Sequence, residues 1–258
     1  MYIFYIFNKC YYIYNDFNKK NDEIKLNIPK FNCDENAVDE SLNGHPLLRH
    51  LNCYGLLVLI GRPASGKTSM AISLMTQKEQ IIYKKTHHHN LIVMPTNSIN
   101  SLEKNPFKKL TEENFYDVLD DSSILDIYQK INDYSSDNEK TLLFIDDQTA
   151  VLKSSKIVME TLKKMIYNRR HLKLNIIITA QSYSNIPLDI RKNIQNLILF
   201  KPSKKEFEIV FEELLENKKN ICQEIMNTVY DAKHNFLFVN VPTQSMFKNW
   251  NTIVVEDP

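Results

Sequence analysis

The chain has 258 residues, 43% of them hydrophobic and 24% charged, which is ordinary for a globular protein and enough for a substantial core. With 32 basic against 31 acidic side chains the formal charge is only +1, so a globally basic nucleic-acid coat protein is excluded and any contact with nucleic acid has to come from a local patch. Cys10, Cys33, Cys53 and Cys222 are scattered without a C-x-x-C pair. Neither a zinc site nor a disulfide framework is expected, and a reducing compartment fits.

Residues 1–48 read as an N-terminal appendage to a main domain over 49–258. The stretch 1–17 is rich in Tyr, Ile and Phe, but Asn8, Lys9, Asn15 and Asp16 interrupt it well before the length of a membrane span. It lacks a basic start and a small-residue cleavage site, so a signal peptide is not expected either. A strand or peripheral packing segment is the reading, with a partner-binding or membrane-surface role as the alternative. Residues 18–23 are polar and read as a turn or linker.

The main domain opens with the apolar run Leu56–Ile60, a strand, followed by Gly61-Arg62-Pro63-Ala64-Ser65-Gly66-Lys67-Thr68 and then Ser69 at the head of a helix-compatible segment. This is G-x-x-x-x-G-K-T in the strand–loop–helix context of a P-loop, and it takes two of only four glycines in the chain. The backbone N–H groups of Gly61 to Ser69 are expected to wrap a polyphosphate. Glycine permits the positive φ and close approach, and the helix start adds unpaired N–H groups and a positive dipole end. Lys67 supplies charge at the β- and γ-phosphates of ATP, and Thr68 a hydroxyl to Mg²⁺.

Residues 91–94, closed by Pro95, read as the next strand. The preceding His87-His88-His89 has no complementary ligand set and reads as a solvated loop. A polar insertion over 97–138 is expected to be mostly helical. Its best helix lies near 111–134, with a break at 120–123. Thr141–Ile145 followed by Asp146-Asp147 reads as a buried parallel strand whose carboxyl end reaches the nucleotide. Asp146 would hold Mg²⁺ and Asp147 would orient or activate the attacking water.

A helix over 155–170 shows Val158, Leu162, Met165 and Ile166 on one face. Residues 175–181 form a further strand ending in Gln181, whose amide would sit beside the γ-phosphate if this strand lies between the other two. After a loop with Pro187 come a short helix near 189–195, the strand Asn196–Phe200, and Pro202. Ser203-Lys204-Lys205-Glu206 reads as a capping box opening a helix that carries Phe207, Val210, Phe211 and Leu214. Residues 203–258 complete the chain with another helix over 221–231, a strand over 236–239 and a tail bearing the only tryptophan, Trp250.

Alternating strands and helices predict an α/β fold with a mostly parallel central sheet flanked by helices on both faces. A strand in sequence between the P-loop and the paired acids separates those two motifs, which favours a P-loop ATPase of the ring-forming, RecA-like kind over a small-metabolite kinase. The basic run Lys163, Lys164, Arg169, Arg170, His171 and Lys173 suits a helix C-terminus. An arginine there could instead reach a neighbouring subunit's γ-phosphate. Arg170 is the leading candidate for that role, before Arg169 and Arg191.

The P-loop, Leu143-Phe144-Ile145-Asp146-Asp147, and Ile176-Ile177-Ile178-Thr179-Ala180-Gln181 with the preceding Arg170-His171 resemble the genome-packaging ATPases of poxviruses, other nucleocytoplasmic large DNA viruses and virophages, within the FtsK–HerA superfamily. The resemblance spans about 50–245 and rests on the paired acids, the strand-end glutamine and their spacing. It implies an ATPase that moves double-stranded DNA into preformed capsids, works as a ring oligomer (pentamer or hexamer) and meets viral capsid proteins. The implied location is the assembly site in the host cytoplasm, or the virion, without stable membrane insertion. It also implies Lys67, Asp146, Asp147, Gln181 and a trans-acting Arg170 as the site, although many relatives carry Glu at the position of Asp147. A cellular or plasmid translocase or helicase of the same superfamily, and a scaffold that binds ATP without turnover, are the alternatives.

Overall fold

Short apolar runs bounded by turn residues cannot hide on one side of a sheet, so they settle where both faces are covered. The computed structural model describes residues 2–4, 12–14, 54–76, 86–100, 107, 112–215 and 221–254. The chain divides into two units, Met1–Gly44 and His45–Pro258. In the first, β1 (Tyr2–Phe4) pairs antiparallel with β2 (Tyr12–Tyr14), Ile3 opposite Ile13. The turn expected at 18–23 lies outside the described residues, as do Cys10, Cys33 and Cys53; Cys222 is buried.

The second unit is built on a nine-stranded sheet. In chain order its elements are β3 (Leu56–Ile60), α1 (Lys67–Thr76), β4 (His89–Val93), α2 (Thr96–Asn100), β5 (Phe115–Tyr116), α3 (Asp121–Ser136), β6 (Thr141–Ile145), α4 (Val151–Ser154), α5 (Lys156–Asn168), β7 (Leu174–Ala180), α6 (Leu188–Arg191), β8 (Asn196–Phe200), α7 (Lys204–Leu214), α8 (Cys222–Val229), β9 (Phe236–Asn240), β10 (Ser245–Lys248) and β11 (Asn251–Ile253). Across the sheet the order is β11-β10-β9-β8-β3-β7-β6-β4-β5. The strands from β8 to β5 run parallel, and β9, β10 and β11 add an antiparallel edge. This is the α/β P-loop NTPase architecture that the alternation of elements predicts.

Alternate residues face opposite layers. Val58, Ile60, Leu143, Ile145, Ile176, Ile178, Leu197 and Leu199 join one core cluster with Ile124, Ile127 and Ile131 of α3, Val158, Leu162, Met165 and Ile166 of α5, and Phe207, Val210 and Phe211 of α7. On α1, Ala71 and Leu74 are buried, and this helix packs against β3 and β7. Each completely buried leucine, isoleucine or phenylalanine contributes about 1.5–3 kcal/mol relative to exposure.

Several local expectations change. The helix expected over 111–134 starts only at Asp121. Glu112–Asn114 is a single 3-10 turn, and Phe115–Tyr116 extends the sheet beside β4. Asp120 stops any earlier start: its carboxylate accepts from Ser123 N at 2.8 Å while Asp120 N donates to Ser123 Oγ at 2.8 Å, a reciprocal cap. The box expected at 203–206 is half made. Ser203 Oγ accepts from Glu206 N at 3.2 Å, but Glu206 Oε1 takes the N–H of Tyr183 at 2.5 Å.

The short helix expected near 189–195 is α6, one turn that starts at Leu188, and the helix expected over 221–231 is α8 alone. The histidine run is not simply a solvated loop. His89 begins β4, stacks on Tyr134 with ring centroids 3.6 Å apart and lies 2.5 Å from Glu139, and His87 Nε2 pairs with Asn175 at 2.8 Å. Among the described residues no group of three or more His, Cys, Asp or Glu side chains is gathered as a metal-binding cluster, the histidine run included. The tail after β9 contains two further strands that no sequence pattern announced, with Trp250 edge-on to Phe236 at 4.9 Å. No described helix is long and apolar enough to cross a membrane.

Candidate nucleotide site

The carboxyl ends of β3, β7 and β6 lie side by side, so everything placed at those ends converges. From β3 the chain turns into the P-loop. Gly61 N donates to Ala180 O at 3.1 Å and Ser65 N to Arg62 O at 3.2 Å, folding the loop back on itself. Gly61 is required for closeness: a Cβ there would lie 2.5 Å from Ser65 Oγ and 2.8 Å from Phe200 Cβ. Gly66 is required for conformation, with φ at +104°. Ala64 also sits in the left-handed region, at φ +60°. Met70 N donates to Gly66 O at 2.8 Å, so the helix is continuous from the loop.

Lys67 is buried, and its Nζ donates to Arg62 O at 3.3 Å. Burial holds its ammonium below the usual lysine value, and the charges of Asp147 and Asp146 oppose that shift. Ser65 Oγ is buried with no hydrogen-bond partner. An orphaned hydroxyl inside a loop of N–H groups is what a phosphate oxygen satisfies.

Asp146 is only 1% exposed. Its Oδ1 accepts from Thr68 Oγ1 at 2.9 Å and from Thr179 Oγ1 at 2.7 Å. Burial raises its carboxyl above the ordinary value; the two hydroxyl bonds work against this, as does Lys67, while Asp147 adds to it. Asp146 and Thr68 thus put a hard oxygen pair at the mouth of the P-loop, a donor set that fits Mg²⁺.

Asp147 follows with φ at +52°, a conformation that costs a non-glycine residue energy and is held by Asp147 N donating to Thr179 Oγ1 at 2.9 Å. This turn brings Asp147 out of the sheet into an exposed position, where its Oδ2 accepts from Gln181 Nε2 at 2.7 Å. Thr179 is a site residue that the sequence reading passed over. Its hydroxyl ties both acids to β7, and the signal was a polar residue directly after the apolar run Ile176-Ile177-Ile178.

The three motifs therefore come together. Gln181 follows β7, which lies between β3 and β6, and the amide touches Asp147. Arg170 is elsewhere. It follows α5 and precedes β7, so the length of that strand, about 20 Å at 3.3 Å per residue, separates it from the loop on its own chain. Arg170 is exposed, whereas Arg169 Nη1 donates to Ile166 O at 2.7 Å. Arg191 is engaged within the chain: its Nη1 meets Glu213 Oε1 at 2.9 Å and its guanidinium lies 5.0 Å from the Tyr183 ring centre.

The fold is similar to that of the genome packaging NTPase B204 from Sulfolobus turreted icosahedral virus 2 in complex with ATP-gammaS, with TM-score 0.57 and 16% identity over 78% of this chain and 100% of that one. It is also similar to the cytoplasmic domain of the type VII secretion ATPase EccC of Thermomonospora curvata, with TM-score 0.50 and 14% identity over 78% of this chain and 24% of that one. By sequence, the chain is 26% identical over 146 residues to protein 075L of Invertebrate iridescent virus 6, covering 56% of this chain. The chain spans about half the length of that curated relative, 54%. The sequence pattern of the Poxvirus A32 protein matches residues 49–257, most of the chain, and the chain belongs to that family.

Proposed function

We propose that this chain is the ATP-hydrolysing subunit of a ring motor that drives double-stranded DNA into a preformed viral capsid. The observation that carries this is the gathering of Lys67, Thr68, Asp146, Asp147 and Gln181 at the ends of three adjacent strands. Membership of the Poxvirus A32 protein family and the likeness to a packaging NTPase of another virus support the same reading.

In this mechanism the N–H groups at the helix end of the loop, Gly66 to Ser69, cradle the phosphates, and Lys67 moves from Arg62 O to the β- and γ-phosphates. Thr68 and Asp146 would hold Mg²⁺, which would supply positive charge to the phosphate oxygens. Asp147 orients the water that attacks in line. Gln181 donates to Asp147, and its amide can also reach the γ-phosphate or the attacking water. Arg170 of one subunit completes the site of its neighbour, stabilising the charge that develops on the transferred phosphoryl group. Residues 49–258 form the ATPase domain and 1–48 an appendage to it. Work of this kind belongs at the site of virion assembly in the host cytoplasm.

The test is ATP turnover measured against protein concentration, with and without duplex DNA. A rate per subunit that climbs with concentration and rises again with DNA is expected. A flat, negligible rate under every condition would overturn the motor reading in favour of a scaffold.

A further inference from the structure

The two ends of a nucleoside triphosphate leave a P-loop in different directions. Here the terminal phosphate is directed to the β7–β6 side, where Thr68, Asp146, Asp147 and Gln181 lie. The nucleoside must then emerge on the other side of β3, which is flanked by β8. Strand β9 runs antiparallel to β8, so Phe236 at its start lies opposite Phe200 at the end of β8. The loop before β9 therefore rises beside the P-loop. His234 in that loop places its Nδ1 3.2 Å from Ser65 O, and a Cβ built on Gly66 would lie 3.6 Å from Phe200 Cε1 and 3.8 Å from His234 Nδ1.

A carbonyl oxygen only accepts, so Nδ1 is the donor in this contact. The ring is exposed, and the backbone beneath it is held at φ +67°, an uncommon conformation that histidine tolerates better than most residues and that its surroundings fix here. Those surroundings are the C-terminal hairpin. Lys248 Nζ reaches Asp231 Oδ2 at 2.6 Å, and Asn235 Nδ2 reaches Asp231 Oδ1 at 2.7 Å. Asn249 Nδ2 donates to Asn235 Oδ1 at 3.2 Å, and Phe236 N to Asn249 Oδ1 at 3.1 Å. Trp250 braces Phe236 from the side. A surface loop tied this firmly against the P-loop presents one exposed aromatic ring and is needed by none of the phosphate chemistry.

We propose that His234 contacts the nucleoside of the bound nucleoside triphosphate, its imidazole offering a flat surface to the base. The C-terminal hairpin thereby sets a preference for a nucleoside-bearing substrate over bare polyphosphate. This assignment rests on the ATPase reading above.

The test is calorimetric titration of the full chain, wild type and His234→Asn, with ATP and with inorganic tripolyphosphate, each with Mg²⁺. Asparagine tolerates the positive φ and keeps an amide donor for Ser65 O, so the substitution removes only the ring. The Kd for ATP should rise about fivefold or more while that for tripolyphosphate is unchanged, the signature of a lost stacking contact. An unchanged Kd for ATP, or equal weakening of both ligands, overturns the assignment; in the second case the ring merely props the loop. A wild-type chain that binds neither ligand overturns the ATPase reading, and this assignment with it.

Discussion

Gln181 and Asp147, 34 residues apart, meet at 2.7 Å through Nε2 and Oδ2. The carboxylate proposed to orient water is thus occupied by the amide proposed to sense the γ-phosphate, and a bound triphosphate offers that amide a second acceptor. On the proposed mechanism, transfer of the amide to the phosphate would release Asp147 once the substrate is in place. Gln181→Ala should lower kcat by about a hundredfold, the loss typical of removing one preorganised donor, with little change in ATP affinity. Steady-state kinetics alongside equilibrium binding separate the two quantities. A variant that weakened binding and left kcat intact would assign the amide to ground-state contact only.

Asp147→Asn keeps the size and the left-handed turn, since asparagine adopts φ near +52° at little cost. Turnover should fall by about a hundredfold or more, with thermal stability and nucleotide binding retained. Full turnover by this variant would remove Asp147 from the reaction.

Thr179→Val removes the hydroxyl that donates to Asp146 and accepts from Asp147 N while preserving shape. Leaving a part-buried N–H and a buried carboxylate each short of one partner costs about 2 kcal/mol. Chemical denaturation reads that loss, and the Mg²⁺ concentration that half-saturates ATPase activity should rise, because Asp146 loses the bond that aims it.

Asp146 carries a pH signature. Burial raises its folded-state value above the ordinary 3.8 of the unfolded chain. The folded state therefore binds more protons than the unfolded one across that interval. The contribution is fully present below 3.8 and is lost as pH climbs through the raised value. At neutral pH the ion-free protein carries this cost, which Asp146→Asn relieves. The variant should melt about 3 °C higher than wild type at pH 7 without nucleotide or metal, the gap closing toward acid pH, and it should gain less stability than wild type from added Mg²⁺ with ATP. Scanning calorimetry over a pH series checks both arms.

Arg170 lies a strand's length from its own P-loop, so any part it has in hydrolysis is played on a neighbour. Arg170→Ala should bind ATP normally and turn it over about a thousandfold more slowly. Mixed with Lys67→Ala chains, which lack a working loop but retain Arg170, it should recover activity. Failure of the mixture to recover, with both variants folded, would move the trans-acting role to another residue.

What could be read from the chain is what short segments impose by themselves. The P-loop was legible because Gly61 and Gly66 answer constraints within a few residues: a loop that must close on Ser65, and a backbone at positive φ. The strand ending in Asp146 and Asp147 was legible because a short apolar run reads as a buried strand, and the P-loop is what pointed its terminal acids to a nucleotide. The helix over 156–168 was legible because its buried face repeats at helical spacing. Where the reading failed, a distant partner had outbid a local preference. Phe115 and Tyr116 fit a helical pattern but joined the open edge of β4. Glu206 fits a capping box but found the N–H of Tyr183, 23 residues away.

By itself, then, the sequence determined the chemical groups and the segments that carry them, because propensity, apolar period and backbone conformation act over a few residues. Only the tertiary structure decided that β7 lies between β3 and β6, that the hydroxyl of Thr179 joins two acids, and that a C-terminal hairpin holds His234 against Ser65. Those are pairings between residues 32 to 169 positions apart, and strand order and side-chain contact at such separations are set by the packing of whole layers.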